Sequence, residues 1–170
     1  MRVFALNTNY RFDRFKIGVT LYANRLSMSM LPEDKPYKTY SFRGDRQAAA
    51  SIDYYWSLGR FIVFEKTTLT DHLAAATING LILMPTSNLN IVLLHRYYSR
   101  SYDLFFAKSF GKSSKVSNED GVYFGFEVNP VKKWKLSAYA DMFKFPYMKY
   151  RVSAPSKGFD AFAQVDFLNG

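Results

Sequence analysis

The residue types that carry chemistry are few in this chain. His72 and His95 are its only histidines, and cysteine is absent. The missing thiol excludes a disulfide framework, a thiolate metal site and a cysteine nucleophile together. A metal would need histidine and carboxylate ligands. No His-x-x-x-His spacing, Gly-rich phosphate loop or nucleophile elbow occurs, so no metal ligand, cofactor or catalytic residue is expected. His72 follows Asp71 in a short connection and reads as a turn residue. His95 stands beside Arg96, Tyr97 and Tyr98, with Ser99 and Asp103 downstream. A Ser/His or Asp/His pair there would be hydrolase chemistry, the alternative to His95 as a polar residue at an interface.

A second cluster could hold anions. Lys144, Lys149, Arg151 and Lys157 share a stretch without acidic residues and are interleaved with Phe143, Phe145, Tyr147 and Tyr150. Such cations can hold nucleic-acid phosphates while the rings stack on bases. They can equally meet the phosphates of a lipid surface, or remain solvated. The net charge of the chain is +9, which keeps an anionic partner open.

Strands must position these residues, because hydrophobicity alternates with a period of two and hardly anywhere with 3.6. Phe15, Ile17, Val19, Leu21 and Ala23 form an apolar row against Lys16, Gly18, Thr20, Tyr22 and Asn24. The same alternation covers 48–57, 121–128, 133–142 and 159–167, and a weaker form covers 2–12, 60–68, 73–84 and 89–98. In 73–84 the apolar row is Ala74, Ala76, Ile78, Gly80, Ile82 and Met84, against Thr77 and Asn79. Nine strands are therefore expected. Short connections at 13–14, 58–59, 85–88 and 129–132 alternate with longer ones at about 26–47, 67–72, 99–120 and 143–158. Short turns at one end and long loops at the other predict an all-β, antiparallel up-and-down transmembrane β-barrel of the outer-membrane kind. Strands of about 9 to 11 residues cross a bilayer when tilted, whereas no stretch reaches the roughly 18 to 20 apolar residues of a membrane helix.

That reading gives each group a place. Aromatic residues make up 18% of the chain, too many to leave unassigned. Trp56 and Trp134 fall beside short turns, and Tyr97, Phe143 and Tyr147 fall where strands enter long loops, so two interfacial belts are expected. A soluble sandwich or lipocalin-like barrel, with aromatics in its core, is the competing architecture. Lys16, Asp53, Asn79, Glu127, Lys135, Asp141 and Gln164 oppose apolar rows and would face a lumen that is open, plugged or closed by salt bridges. Segments 25–47, 99–120 and 143–158 hold 13 Lys and Arg against 6 Asp and Glu, which puts most of the positive charge in the external loops. The expected partners are outer-membrane lipid and lipopolysaccharide and other subunits of a membrane complex. Nucleic acid is the weaker expectation for this segment.

No basic and apolar leader follows Met1, and the chain ends on Asn169-Gly170, a hairpin signal. Single-chain bacterial barrels use even strand numbers. Residues 1–170 are thus expected to be one partial β-barrel domain, about nine strands of a larger barrel. Its expected role is transport or assembly at the cell surface, with a surface-binding module for DNA or lipopolysaccharide as the alternative.

Between His95 and Gly158 the chain also carries His95-Arg96-Tyr97-Tyr98, Tyr102, Phe110, Asn118-Glu119-Asp120-Gly121-Val122-Tyr123, Gly125, Tyr139-Ala140-Asp141 with Phe143, Pro146, and Ala154-Pro155-Ser156 with Gly158. Phe64-Glu65 and Gly80 extend the pattern upstream. In these residues the chain resembles large outer-membrane barrel proteins of Bacteroidota, which often carry a competence-protein-like helix-hairpin-helix segment before the barrel. The resemblance implies fold and location and assigns no active site. The helix-hairpin-helix segment has no counterpart here.

Overall fold

The computed structural model describes residues 1–167. Its strands are β1 (Arg2–Phe12), β2 (Phe15–Met30), β3 (Gly44–Leu58), β4 (Phe61–Thr70), β5 (Ala75–Thr86), β6 (Leu89–Tyr98), β7 (Glu119–Val128), β8 (Trp134–Phe145) and β9 (Ser156–Phe167). One short 3-10 turn, Pro36–Lys38, is the only helical element among the described residues. Each strand pairs antiparallel with the next in sequence, so the order is β1 to β9 in a single up-and-down sheet. Among the described residues β1 pairs only with β2 and β9 only with β8, which leaves this sheet open. The Asn169-Gly170 hairpin signal lies outside the described residues.

Turn chemistry sets the alternation of connections. Asp13 and Gly59 take positive φ, 47° and 62°, in the two-residue turns β1–β2 and β3–β4, as tight hairpins demand. At the other end, loops 31–43, 99–118 and 146–155 are shorter than the expected 26–47, 99–120 and 143–158 because the strands run on. Pairing of β2 with β3 continues to Met30 and Gly44 across a register shift after Arg25, and pairing of β8 with β9 reaches Phe145 and Ser156.

Residues directly opposite in an antiparallel pair share a face, so the registers define two faces across the sheet. One carries Lys16, Asp53, Arg96, Glu127, Lys135, Asp141 and Gln164. It is covered by loop 99–118 and holds the buried polar residues Asn24, Gln47, Ser51, Arg96, Glu119 and Asp141. The other is bare and carries Val19, Leu21, Ile52, Leu93, Phe124, Met142, Phe159 and Val165, all exposed. Strand β6 shows the alternation most clearly: Leu93, His95 and Tyr97 are exposed, whereas Leu94, Arg96 and Tyr98 are buried.

Two placements differ from the sequence reading. Asn79 lies opposite Glu65 and His95, and through them is in line with Val122 and Met142, so it belongs to the bare face and not with Asp53 and Asp141. The apolar row of β5 faces inward because loop 99–118 brings Tyr102 and Val116, with Leu104 and Ala107, onto Ala74, Ala76 and Tyr98. The covered face is therefore locally apolar, and Asn79, Thr77 and Glu65 take the other side. Phe143 lies on the covered face, opposite Gly121 and Gly158, because the two-residue period forces it to the same side as Asp141. Its ring occupies the space that a side chain at Gly158 would take.

Candidate functional site

The covered face converges on one arginine. Arg96, on β6, is fully buried. Its Nε donates to Glu119 Oε1 at 2.6 Å, and its Nη1 and Nη2 donate to Asp141 Oδ1 and Oδ2 at 2.9 and 3.3 Å. A planar guanidinium between two carboxylates from neighbouring strands makes charge-assisted, partly bidentate bonds. Room for it is made by Gly121, where a Cβ would come within 2.7 Å of the guanidinium carbon. The ring of Phe110 lies 5.3 Å away.

Loop 99–118 completes the cluster. Glu119 also accepts the backbone N–H groups of Lys112 and Ser113, the first at 2.9 and 3.1 Å to its two oxygens and the second at 3.2 Å. Lys112 Nζ reaches Asp160 at 2.5 Å and Asp141 at 3.2 Å. Tyr98 donates its hydroxyl to the Phe110 carbonyl at 2.6 Å. At the far side of the sheet, Gln47 on β3 donates to the Asp103 carbonyl at 2.6 Å and accepts the Phe105 N–H at 3.1 Å. The loop is thus fastened from β3 to β9, and it lies over the covered face as a strap. Electrostatically this arrangement is closed: the buried charges are paired and hydrogen-bonded, which is how burial of charge is tolerated.

Of the residues expected to form an anion surface, Lys144 and Lys157 come together and Lys149 and Arg151 are drawn elsewhere. Lys144 and Lys157 are opposite each other in the β8–β9 register, on the bare face, and Lys144 pairs with Asp120 at 3.0 Å. Arg151, at φ 63°, lies over the Tyr150 ring at 5.0 Å. Lys149 turns inward, donates to Ser113 Oγ at 2.7 Å and sits 3.5 Å from the centre of the Phe145 ring. Its ammonium is held below the ordinary lysine pKa, because burial disfavours charge and Glu119 offsets this only in part. The interfacial aromatics divide similarly. Trp56, Trp134 and Tyr97 are exposed on the bare face. Tyr147 is drawn into the loops, where its backbone N–H and carbonyl pair with the side-chain amide of Asn118 at 2.8 Å each.

His95 is on the bare face, and its Nε2 lies 3.2 Å from Asp120 Oδ1. Ser99 Oγ accepts the Ala75 N–H, and Asp103 is occupied by Lys115 and the Phe42 N–H. The Ser99 or Asp103 partnership considered for His95 is therefore not assembled. His72 lies beside Asp71 with Nε2 and Oδ1 3.8 Å apart. No group of three or more metal-ligating side chains occurs among the described residues.

The pairing of Arg96 with Glu119 is not legible in the sequence, because Ile91-Val92-Leu93-Leu94 makes both faces of this strand apolar at its centre. A charge inside a strand, one residue from an equally polar His95, was the available signal. Arg96, Tyr98, Phe110, Glu119, Gly121 and Asp141 pack around one cluster, and Tyr102 seats its loop. The class defined by this fold is an all-β antiparallel up-and-down sheet of nine strands. No family model matches the chain, and neither a curated protein nor a solved structure matches it.

Proposed function

We propose that this chain is a wall segment of a transmembrane outer-membrane β-barrel acting in transport or assembly at the cell surface, with loop 99–118 as a built-in plug. The observation that carries the reading is the inversion of polarity across the sheet. Arg96 and Glu119 are 0% exposed and Asp141 1%, whereas Ile52, Leu93 and Phe124 are 43 to 46% exposed on the opposite face. Water-soluble monomers rarely leave so extended an apolar surface uncovered, while a lipid-facing barrel wall requires it. Strand lengths of 10 to 16 residues suffice for a tilted crossing. A bilayer does not tolerate open sheet edges, so β1 and β9 are closed in the membrane by further strands or another subunit. The resemblance to Bacteroidota barrel proteins points the same way.

Fractionation of cells expressing the full-length protein, followed by an alkaline wash, tests this reading. The protein should stay with the outer-membrane pellet and be released only by detergent. Recovery in the soluble fraction without detergent would overturn the proposal.

A further inference from the structure

Loops 31–43, 99–118 and 146–155 line a half-open cavity of about 480 Å³, within the usual range of small-molecule sites. It is built rather than incidental. Tyr147 is fixed at both backbone groups by Asn118, and its hydroxyl donates to the Pro36 carbonyl at 3.1 Å, tying the three loops together. The tight turn closed by mutual Lys149 and Val152 backbone bonds shapes one wall.

Most cations lining the cavity already have partners. Lys38 pairs with Glu33, Lys112 with Asp141 and Asp160, and Lys115 with Asp103. Arg100 and Lys149 make no salt bridge among the described residues. Arg100 lies over the Tyr147 ring at 5.8 Å, and Lys149 is partly desolvated against Phe145. Two unpaired cations in a preformed cavity call for an anion. The rings do not call for nucleobases, because they pack edge to face on each other: Tyr37 with Tyr150 at 64° and Tyr40 with Tyr147 at 84°. What they present, together with Ser41, Ser114 and Ser117, is hydroxyl-bearing wall suited to a polyol.

We propose that this cavity binds a small anionic saccharide, a sugar phosphate or a sugar acid, with Arg100 and Lys149 holding the anion and the tyrosine and serine hydroxyls holding the ring. The inference goes beyond the barrel reading and needs only the loop geometry, so it stands or falls independently of whether the strands span a bilayer.

Calorimetric titration of the full-length protein with glucose 6-phosphate, glucuronate, glucose and inorganic phosphate tests it. Saturable binding of at least one anionic sugar is expected, about tenfold or more tighter than glucose and than inorganic phosphate. Arg100→Gln and Lys149→Gln should each weaken it about fivefold or more, while Lys144→Gln on the bare face leaves it unchanged. Preference between the two anionic sugars distinguishes phosphate from carboxylate as the group held. The proposal is overturned if neither anionic sugar binds below about 10 mM. It is also overturned if glucose or inorganic phosphate binds as tightly, or if the exposed Arg100→Gln variant, folded as judged by its strand circular dichroism, keeps full affinity.

Discussion

Arg96 is the cation at the centre of the buried charge among the described residues, with Glu119 and Asp141 as its partners. Glu119 and Asp141 flank it at 2.6 and 2.9 Å, Phe110 covers it, and Gly121 leaves room for it. Removing the guanidinium leaves two carboxylates buried without their cation, so Arg96→Met should cost about 3–5 kcal/mol in denaturant unfolding. Gly121→Ala should cost about 1–3 kcal/mol, because its Cβ would overlap the guanidinium and force the ion pairs apart. Lys149 supplies a pH test. It faces Ser113 and the Phe145 ring, with Glu119 near enough to oppose the effect of burial and Lys112 lining the same cavity. Its native pKa lies below the unfolded value, so between the two the unfolded chain binds more protons and stability rises with pH. Relative to Lys149→Arg, which keeps its charge throughout, the wild-type thermal midpoint should climb as pH rises through that window toward the ordinary lysine value. A constant difference would contradict the burial of Lys149.

At the scale of elements, the strap 99–118 is what turns a sheet into a structure with an interior. Its apolar seat is Tyr102 and Val116 on Ala74, Ala76 and Tyr98. Tyr102→Ala should weaken that seat by about 3 kcal/mol. Hydrogen exchange should then show lost protection confined to 99–118, with the β6–β7 ladder still protected. All nine strands were legible in the sequence, because alternation and turn residues are local signals; the asymmetry of the connections holds for three of the longer ones, whereas the one expected at 67–72 is a four-residue turn at 71–74 because β4 runs on to Thr70. Which face of a strand is which was legible only where one row was plainly polar, as in β2 with Lys16, Thr20 and Asn24. It failed at β5, where a loop more than twenty residues downstream supplies the apolar cover for Ala76 and leaves Asn79 outside. It failed for Phe143, whose aromatic character outweighed its parity with Asp141. The four basic residues Lys144, Lys149, Arg151 and Lys157 divide for a similar reason: register keeps Lys144 and Lys157 together on the bare face, while the tight turn at 149–152 turns Lys149 inward and sets Arg151 over Tyr150. The cavity that does collect cations draws Arg100 from another loop, a juxtaposition no local pattern announces.

At the scale of the whole molecule, the two faces of the sheet differ in what they offer a solvent. The covered face is polar, paired and strapped, and the bare face runs apolar from Leu21 on β2 to Val165 on β9, broken by a polar patch of Glu65, Thr67, Thr77, Asn79 and His95. Thr67 and Thr77 bond each other at 2.9 Å, and His95 pairs with Asp120, so in lipid this patch would be at least partly satisfied within the sheet. Because the chain has no cysteine, single cysteines can be introduced and spin-labelled at will. The most direct measurement is the collision accessibility of such labels in the full-length protein in native membranes, with oxygen as the lipid-soluble relaxer and a nickel chelate as the aqueous one. Labels at Leu21, Ile52, Leu93 and Phe124 should be relaxed by oxygen and shielded from nickel, while labels at Thr20, Asp53 and Glu127 on the covered face should show the lower oxygen accessibility. Equal nickel accessibility on both faces, with no oxygen preference at Leu93 or Phe124, would contradict a membrane-spanning wall.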